Sequence, residues 1–193
     1  MRLVFVTALL LIASACASVP APQSSQDAFF ARIAALCGQA FAGRVVTEDE
    51  RDADFASQPL VMHVRECGAE EIRIPFHVGE DRSRTWVLTR TGDGLRLKHD
   101  HRHEDGAEDE LTQYGGDTAS EGTPERQEFP ADAFSRQLFI ENGIEASVEN
   151  IWAVEIRPGE AFAYELRRPN RFFRAEFDLS APATVPPPPW GAD

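Results

Sequence analysis

Three consecutive segments near the C-terminus alternate between apolar and charged side chains with the two-residue period of a β-strand. Trp152, Val154 and Ile156 share one face, and the turn residues Pro158 and Gly159 follow them. The next two segments repeat this pattern, with their inward apolar residues at Phe162, Tyr164, Leu166, Phe173, Ala175, Phe177 and Leu179. Since side chains alternate across a strand, the pattern predicts a meander with one buried face and one solvated face.

Earlier parts of the chain show the same period of two, at residues 60–64, 72–78 and 86–97. The last of these contains the residues TGDG, which are typical of a tight β-hairpin turn. The alternation places His77 on the outer face of its strand, where we expect it to be exposed to solvent.

Two segments carry a helical pattern instead. Asp27 is the predicted N-cap of an amphipathic helix that carries Phe41 on its apolar stripe and ends at Gly43. Residues 131–142 predict a second short helix, with Gly143 as the residue that ends it.

Together these segments predict one mainly β domain over residues 27–181. The expected fold is an antiparallel β-barrel or curved sandwich of about eight to ten strands, with an N-terminal α-helix and a second short helix. This architecture resembles the lipocalin-like (calycin) barrels. Residues 182–193 form a Pro-rich tail, for which both a disordered chain and docking of Trp190 on the domain remain open.

The predicted inward faces are rich in aromatic residues. Seven of them form this set: Phe76, Trp86, Trp152, Phe162, Tyr164, Phe173 and Phe177. A solid core is one interpretation, since aromatic side chains supply a large buried area in a small barrel. The other is an apolar cavity for a lipid or an aromatic ligand, as in lipocalins.

Three histidines on one strand are the strongest chemical signal in the chain. His99, His101 and His103 share a face with Leu95 and Leu97, so they continue the predicted inner face toward one end of the barrel. Histidines at alternate positions of a strand lie about 7 Å apart and can bind one divalent transition metal ion together. The alternative is a strand end with half-exposed histidines that are hydrogen-bonded to neighbouring carboxylates.

The spacing around these histidines is similar to the first metal-binding motif of the cupins. The matching residues, with one extra residue in the first gap, are Gly94, His101, His103, Glu108 and Gly115. The resemblance implies a metal site with the ligands His101, His103 and Glu108, and with it a metal-dependent enzyme. With His99 from the same strand face, the candidate metal ligands are His99, His101, His103 and Glu108. The sequence has no serine nucleophile elbow, phosphate-binding loop or zinc-protease motif, which favours a protein without catalytic activity and without a cofactor.

The first sixteen residues, MRLVFVTALLLIASAC, contain one basic residue, an apolar run and small residues directly before Cys16. The run is too short for a permanent transmembrane helix, and this order is typical of a secretory signal peptide, here residues 1–15. The small residues before the cysteine resemble the lipobox of bacterial lipoproteins, in which the cysteine is lipidated. The resemblance implies an outer-membrane lipoprotein facing the periplasm, with residues 16–26 as a flexible linker. Cleavage without acylation of Cys16 would instead give a secreted protein.

Two further cysteines, Cys37 and Cys67, fit an exported protein. In an oxidising compartment an even pair predicts a disulfide, and two buried free thiols are the alternative. The bridge would close a loop of about 30 residues and stabilise the fold by about 3 kcal/mol in the chain-entropy model.

The chain is acidic, with a formal net charge of −13. Such a surface repels phosphate backbones and anionic headgroups, which argues against nucleic-acid binding and leaves membrane contact to the lipid anchor. The sequence therefore predicts a lipid-anchored envelope protein, without catalytic activity, that binds an apolar small molecule or an envelope protein. Two alternatives stay open: a metal-binding protein or enzyme that uses the histidine strand, and a purely structural envelope lipoprotein.

Overall fold

The alternating segments of the sequence become the strands of one antiparallel sheet in the computed structural model, which describes residues 24–192. Cys16, the signal segment and most of the linker lie outside the described residues. The eleven strands are β1 Ala40–Val45, β2 Leu60–His63, β3 Glu66–Cys67, β4 Glu71–Val78, β5 Asp81–Thr91, β6 Gly94–His101, β7 Tyr114–Asp117, β8 Arg126–Pro130, β9 Ile151–Arg157, β10 Ala161–Arg168 and β11 Arg171–Asp178. The predicted mainly β, antiparallel fold is confirmed, with slightly more strands than expected.

Three α-helices accompany the sheet: α1 Ser25–Ala34, α2 Ala53–Ala56 and α3 Ala133–Glu141. Short 3₁₀ helices precede α2 at Glu50–Asp52 and follow α3 at Glu145–Glu149. The predicted second helix is α3, which Asp132 caps through a hydrogen bond from the Ser135 N–H. None of the helices in the described part of the chain is long and apolar enough to span a lipid bilayer.

The strands lie in the order β7-β6-β5-β4-β2-β1-β11-β10-β9-β8, and β3 pairs with β4 off this path. The two edge strands, β7 and β8, approach each other. The N–H of Asp132, just after β8, donates to the carbonyl of Gly115 on β7 at 2.9 Å. A Cβ atom at Gly116 would lie 1.8 Å from the carbonyl oxygen of Pro130. Only a glycine therefore lets the two strands approach closely enough to bring the sheet near closure.

Helix α1 covers one end of the barrel and buries Phe29, Phe30 and Ile33 in the core. The predicted capping role of Asp27 is wrong, because Ser24 caps the helix and Asp27 instead forms an ion pair with Arg90 at the end of β5. We call this end of the barrel, where the β5–β6 turn also lies, the closed end.

The predicted end of the first helix is also wrong. The chain turns at Gly38, which has a positive φ of 79°, and Phe41 lies on β1 rather than on the helix. A left-handed backbone at Gly38 ends a helix readily because glycine has no Cβ. The turn brings Cys37 to Cys67, and the predicted disulfide is confirmed with an S–S distance of 2.06 Å.

Charged side chains cover the outer face of β8 to β11. Arg174 contacts Glu165, and it also lies 3.2 Å from Glu155 and 2.8 Å from Glu176. Arg126 donates to the other oxygen of Glu165 at 2.6 Å. We call these five residues the outer charge lattice. They point away from the core because they alternate with the buried residues of the same strands.

The Pro-rich tail lies against the barrel. The backbone N–H of Ala183 donates to the Ala40 carbonyl at 2.7 Å, and the backbone N–H of Trp190 donates to the Arg82 carbonyl at 3.1 Å. Since β2 and β4 lie between these two points, the tail crosses their outer face. His77 on that face is only 3% exposed, so the expectation that it faces solvent is wrong.

Candidate functional site

A cavity of about 170 Å³ lies at the end of the barrel opposite α1, which we call the open end. The strands β5 and β6 reach it through the paired residues Arg84 and His101. The residues that line it come from five strands on both sides of the barrel, from β7 and from the segment before β2: Asp52, Phe55, Phe76, Arg84, Trp86, His99, His101, Tyr114, Tyr164, Leu166, Arg171 and Phe173. The histidine strand and the aromatic interior therefore meet in one site.

Stacked rings form one wall of the cavity. The ring of Trp86 lies 4.7 Å from that of Phe76 and 4.6 Å from that of Tyr164, and both pairs are nearly parallel. Because stacked rings support one another through large contact areas, this wall is rigid. Trp86 is almost completely buried, which leaves only a small part of its ring to contact a ligand.

His99 lies beside this wall with both ring nitrogens engaged. Its Nδ1 lies 3.1 Å from the Tyr114 carbonyl, which can only accept, so Nδ1 carries the hydrogen. Nε2 therefore accepts the hydroxyl hydrogen of Tyr164, at 2.7 Å. Burial, with a smaller contribution from His101, lowers the pKa of His99 to about 3. This histidine is neutral and its tautomer is fixed by its partners.

His101 lies one step nearer to the open end. Its Nε2 is 3.3 Å from the Tyr114 hydroxyl. Burial, followed by the positive charge of Arg84, lowers the pKa of His101 to about 4. Burial also raises the pKa of Tyr114 well above its usual value. Both groups are uncharged near neutral pH. We call His99, His101, Tyr114 and Tyr164 the inner hydrogen-bonded cluster.

The mouth of the cavity carries charges. Arg171 pairs with both carboxylate oxygens of Asp52, and its Nη1 lies 2.8 Å from Oδ2. Arg84 donates to Asp81 at 2.5 Å and its guanidinium lies 5.0 Å from the centre of the Phe55 ring. The pair and the cation–π contact hold the segment with α2 over the mouth.

The predicted metal ligands are divided between two places. His99 and His101 face the interior, as the strand register predicts, whereas His103 is exposed. Its Nε2 lies 4.0 Å from Asp109. Glu108 is outside the cavity and accepts from Arg102 at 3.2 Å. Within residues 24–192 the structure shows no group of three or more His, Cys, Asp or Glu side chains arranged to hold a metal ion.

The predicted cavity residues are also divided. Phe76, Trp86, Tyr164 and Phe173 line the cavity. The remaining three are buried in the core outside the lining: Trp152 lies beside it, paired with Leu166, and Phe162 and Phe177 lie toward the closed end. Both interpretations of the aromatic interior thus describe part of the barrel, a solid core toward the closed end and a cavity toward the open end.

Sequence reasoning missed several lining residues. Arg84 and Arg171 lie two residues before Trp86 and Phe173, so the same alternation could have placed them on the inner face. Asp52 and Phe55 lie on a segment without strand periodicity. Tyr114 begins a four-residue strand that is too short for a periodic signal.

No protein-family model, no curated protein and no solved structure matches the chain.

Proposed function

We propose that this protein is a non-catalytic binding barrel that holds one compact, largely apolar molecule in the cavity at its open end. The observation that carries the proposal is the cavity itself, about 170 Å³ in volume and lined mainly by aromatic rings. Small-molecule sites have this composition, in which apolar walls supply affinity and a few polar groups fix orientation.

The volume limits the ligand to about the size of one ring. An apolar cavity of about 150 Å³ holds a benzene molecule, so this cavity accommodates one six-membered ring with a small substituent. An extended acyl chain would need more space than the described site offers, because Phe162 and Phe177 fill the barrel toward the closed end.

We further propose that the barrel works outside the cytoplasm, anchored through a lipid on Cys16. Two features support this location: the signal-like segment that ends at Cys16, and the bridge between Cys37 and Cys67, which is stable in oxidising compartments. Among the sequence-based alternatives, the binding role is the one that uses the cavity.

The test is calorimetric titration of the purified full chain, expressed in a bacterium with its own N-terminal segment, with a panel of single-ring compounds and of linear alkyl compounds. We expect at least one single-ring compound to bind with 1:1 stoichiometry and the linear compounds to bind at least ten times more weakly. Leu166→Trp should abolish binding because the larger ring occupies the cavity.

The matched control is Phe172→Trp, which introduces the same side chain at a position that is 47% exposed. It should bind like the unmodified protein. If no ring compound binds, or if Leu166→Trp binds as well as the control, the proposed function is wrong.

A further inference from the structure

The lining of the cavity contains more positive than negative charge, although the protein as a whole is strongly acidic. Its charged members are Asp52, Arg84 and Arg171. Arg171 occupies both oxygens of Asp52, so this pair is internally neutral. Arg84 is the remaining charge, and it lies on the same inward face as Trp86.

The partner of Arg84 leaves part of its guanidinium available. Within the described part of the chain, its side chain donates to Asp81, which Nη1 contacts at 2.5 Å. Asp81 is not among the residues that line the cavity, and its side chain is 38% exposed to solvent. A guanidinium carries five N–H donors in a planar fork, which suits a carboxylate that binds through two oxygens.

The effect of Arg84 reaches the interior of the barrel. After burial, its charge is the next cause that lowers the pKa of His101, and it opposes the burial that raises the pKa of Tyr114. Asp109, Asp100 and Asp81 act on the pKa of His101 in the opposite direction, so among the described groups that shift this pKa the positive charge is that of Arg84. A ligand carboxylate placed beside Arg84 would be attracted to its guanidinium, whereas an ammonium group there would be repelled.

The bond between His101 and Tyr114 offers a second donor. A neutral imidazole has one N–H, and a phenol has one O–H. Their mutual contact at 3.3 Å uses one of these two hydrogens, whichever group donates. The other hydrogen remains for an acceptor on a ligand, and neither group carries a negative charge that would repel an anion.

We infer that the cavity binds a compact aromatic monocarboxylate, with its ring among the aromatic walls and its carboxylate at Arg84 and the His101–Tyr114 pair. The inference rests on the proposed binding function and adds the charge and the polar contacts of the ligand. Arg84, whose ion-pair partner Asp81 lies outside the cavity lining, matches one negative charge, and the volume matches one ring.

The test compares three probes of nearly equal shape, benzoate, benzamide and benzylammonium, by calorimetric titration of the full chain at neutral pH. We expect benzoate to bind at least ten times more tightly than benzamide, and benzylammonium to bind most weakly. The ten-fold factor is the lower limit for a hydrogen bond to a charged group.

The variant Arg84→Gln should remove this preference, lowering benzoate affinity at least ten-fold and changing benzamide affinity less than three-fold. Arg84→Lys keeps the positive charge but not the planar fork of N–H donors, so its benzoate affinity should lie between those of the unmodified protein and Arg84→Gln. Arg136→Gln is the matched control, because Arg136 is exposed on α3 away from the cavity lining, and it should bind as the unmodified protein does.

Each outcome decides between the two proposals. Equal binding of benzoate and benzamide to the unmodified protein would overturn the inference and leave the binding function intact. A loss of benzoate affinity in Arg136→Gln equal to that in Arg84→Gln would overturn the assigned position. Binding of none of the probes or other single-ring compounds would overturn the proposed function and the inference together. The comparison of the three probes needs no variant, so it remains decisive if Arg84→Gln fails to fold.

Discussion

The inner hydrogen-bonded cluster and the outer charge lattice are built from neighbouring residues of the same strands, yet they satisfy polar groups in opposite ways. Tyr164 and Glu165 are consecutive on β10 and point to opposite faces. Inside, the Tyr164 hydroxyl donates to a neutral partner, His99. Outside, Glu165 meets two arginines, Arg126 and Arg174.

The difference shows that the surroundings of a polar group decide whether it is kept as a charge. Burial excludes water from His99 and therefore disfavours its charged form. Each ring nitrogen of the neutral histidine has one hydrogen-bond partner, the Tyr114 carbonyl or the Tyr164 hydroxyl. Burial also opposes ionisation of Glu165, but the hydrogen bonds from Arg126 and Arg174 outweigh it, and the pKa of Glu165 is lowered. The inner cluster should therefore tolerate the loss of a member less well than the lattice, where each charge has several partners.

The largest expected effect is that of His99→Ala. It opens a void beside Trp86 and leaves the Tyr164 hydroxyl and the Tyr114 carbonyl without their partner. We expect a loss of about 2–4 kcal/mol in the free energy of unfolding, measured by urea denaturation at pH 7. His103→Ala, at an exposed histidine of the same strand end, should cost less than about 0.5 kcal/mol. Equal losses in the two variants would contradict the claim that the buried His99 stabilises the fold and the exposed His103 does not.

The second effect is a pH dependence that begins near the unfolded histidine pKa. His99 has a pKa of about 3 in the fold, and His77 and His101 have values of about 4. Below about pH 6.5 the unfolded chain takes up protons that the folded chain does not, so stability is fully present above that pH and falls as pH decreases toward about 4. Each buried histidine should remove about 2 kcal/mol between pH 7 and pH 5.

Urea denaturation of His99→Gln at both pH values checks this dependence. The loss of stability between pH 7 and pH 5 should be about 2 kcal/mol smaller in that variant than in the unmodified protein. His103→Gln serves as the control and should keep the full loss. In the outer charge lattice, the lowered pKa of Glu165 adds a loss of stability only below about pH 4.5. Glu165→Gln should therefore also keep the full loss between pH 7 and pH 5. An unchanged loss in His99→Gln would show that His99 is not held neutral by burial.

The third effect tests the lattice directly. Glu165→Gln removes the charge that Arg126 and Arg174 share, while Glu155 and Glu176 remain beside Arg174. We expect a loss of about 1–2 kcal/mol at pH 7, because the remaining carboxylates compensate in part. Thermal and urea unfolding of Glu160→Gln, whose side chain is 74% exposed, gives the baseline and should show almost no change. A loss above that of His99→Ala would reverse the proposed ranking.

The smallest effect is expected at an isolated outer pair. Arg96 and Asp117 form a two-point contact, with distances of 2.6 and 2.8 Å, but both side chains are nearly half exposed. Asp117→Asn should lower the free energy of unfolding by less than about 0.5 kcal/mol, because solvent screens the pair. Urea denaturation at low and high salt measures this loss. A loss above about 0.5 kcal/mol, or one that depends strongly on salt, would show that an isolated outer ion pair stabilises the fold without neighbouring charges.

Alternation along the strands was sufficient to predict which residues face the interior. It placed the three C-terminal strands correctly and put His99 and His101 on the inner face, because strand side chains change sides at every residue whatever the strand order. The same rule applies to Arg84 and Arg171, which lie two residues before Trp86 and Phe173, but the sequence analysis did not extend it to these charged residues.

Alternation cannot predict which strand faces are covered by segments from distant parts of the chain. His77 is on the outer face as expected, yet it is buried, and the distant tail is hydrogen-bonded to the barrel on both sides of its strand. Phe55 reaches the cavity from a segment without regular period, and Phe41 fits a helical stripe as well as a strand. Such cases depend on tertiary contacts, which a local pattern does not contain.

The position of α1 has a consequence for how the barrel is oriented when it is tethered. Cys16 lies eight residues before Ser24, a length that reaches about 28 Å at most when fully extended. An eight-residue strand such as β10 is itself about 26 Å long. Under the proposed anchoring, the tether keeps the closed end within about 28 Å of the bilayer, and the mouth lies one strand length further along the barrel. When the barrel stands upright on its tether, the mouth opens to the aqueous compartment, and a ligand enters from water rather than from the lipid.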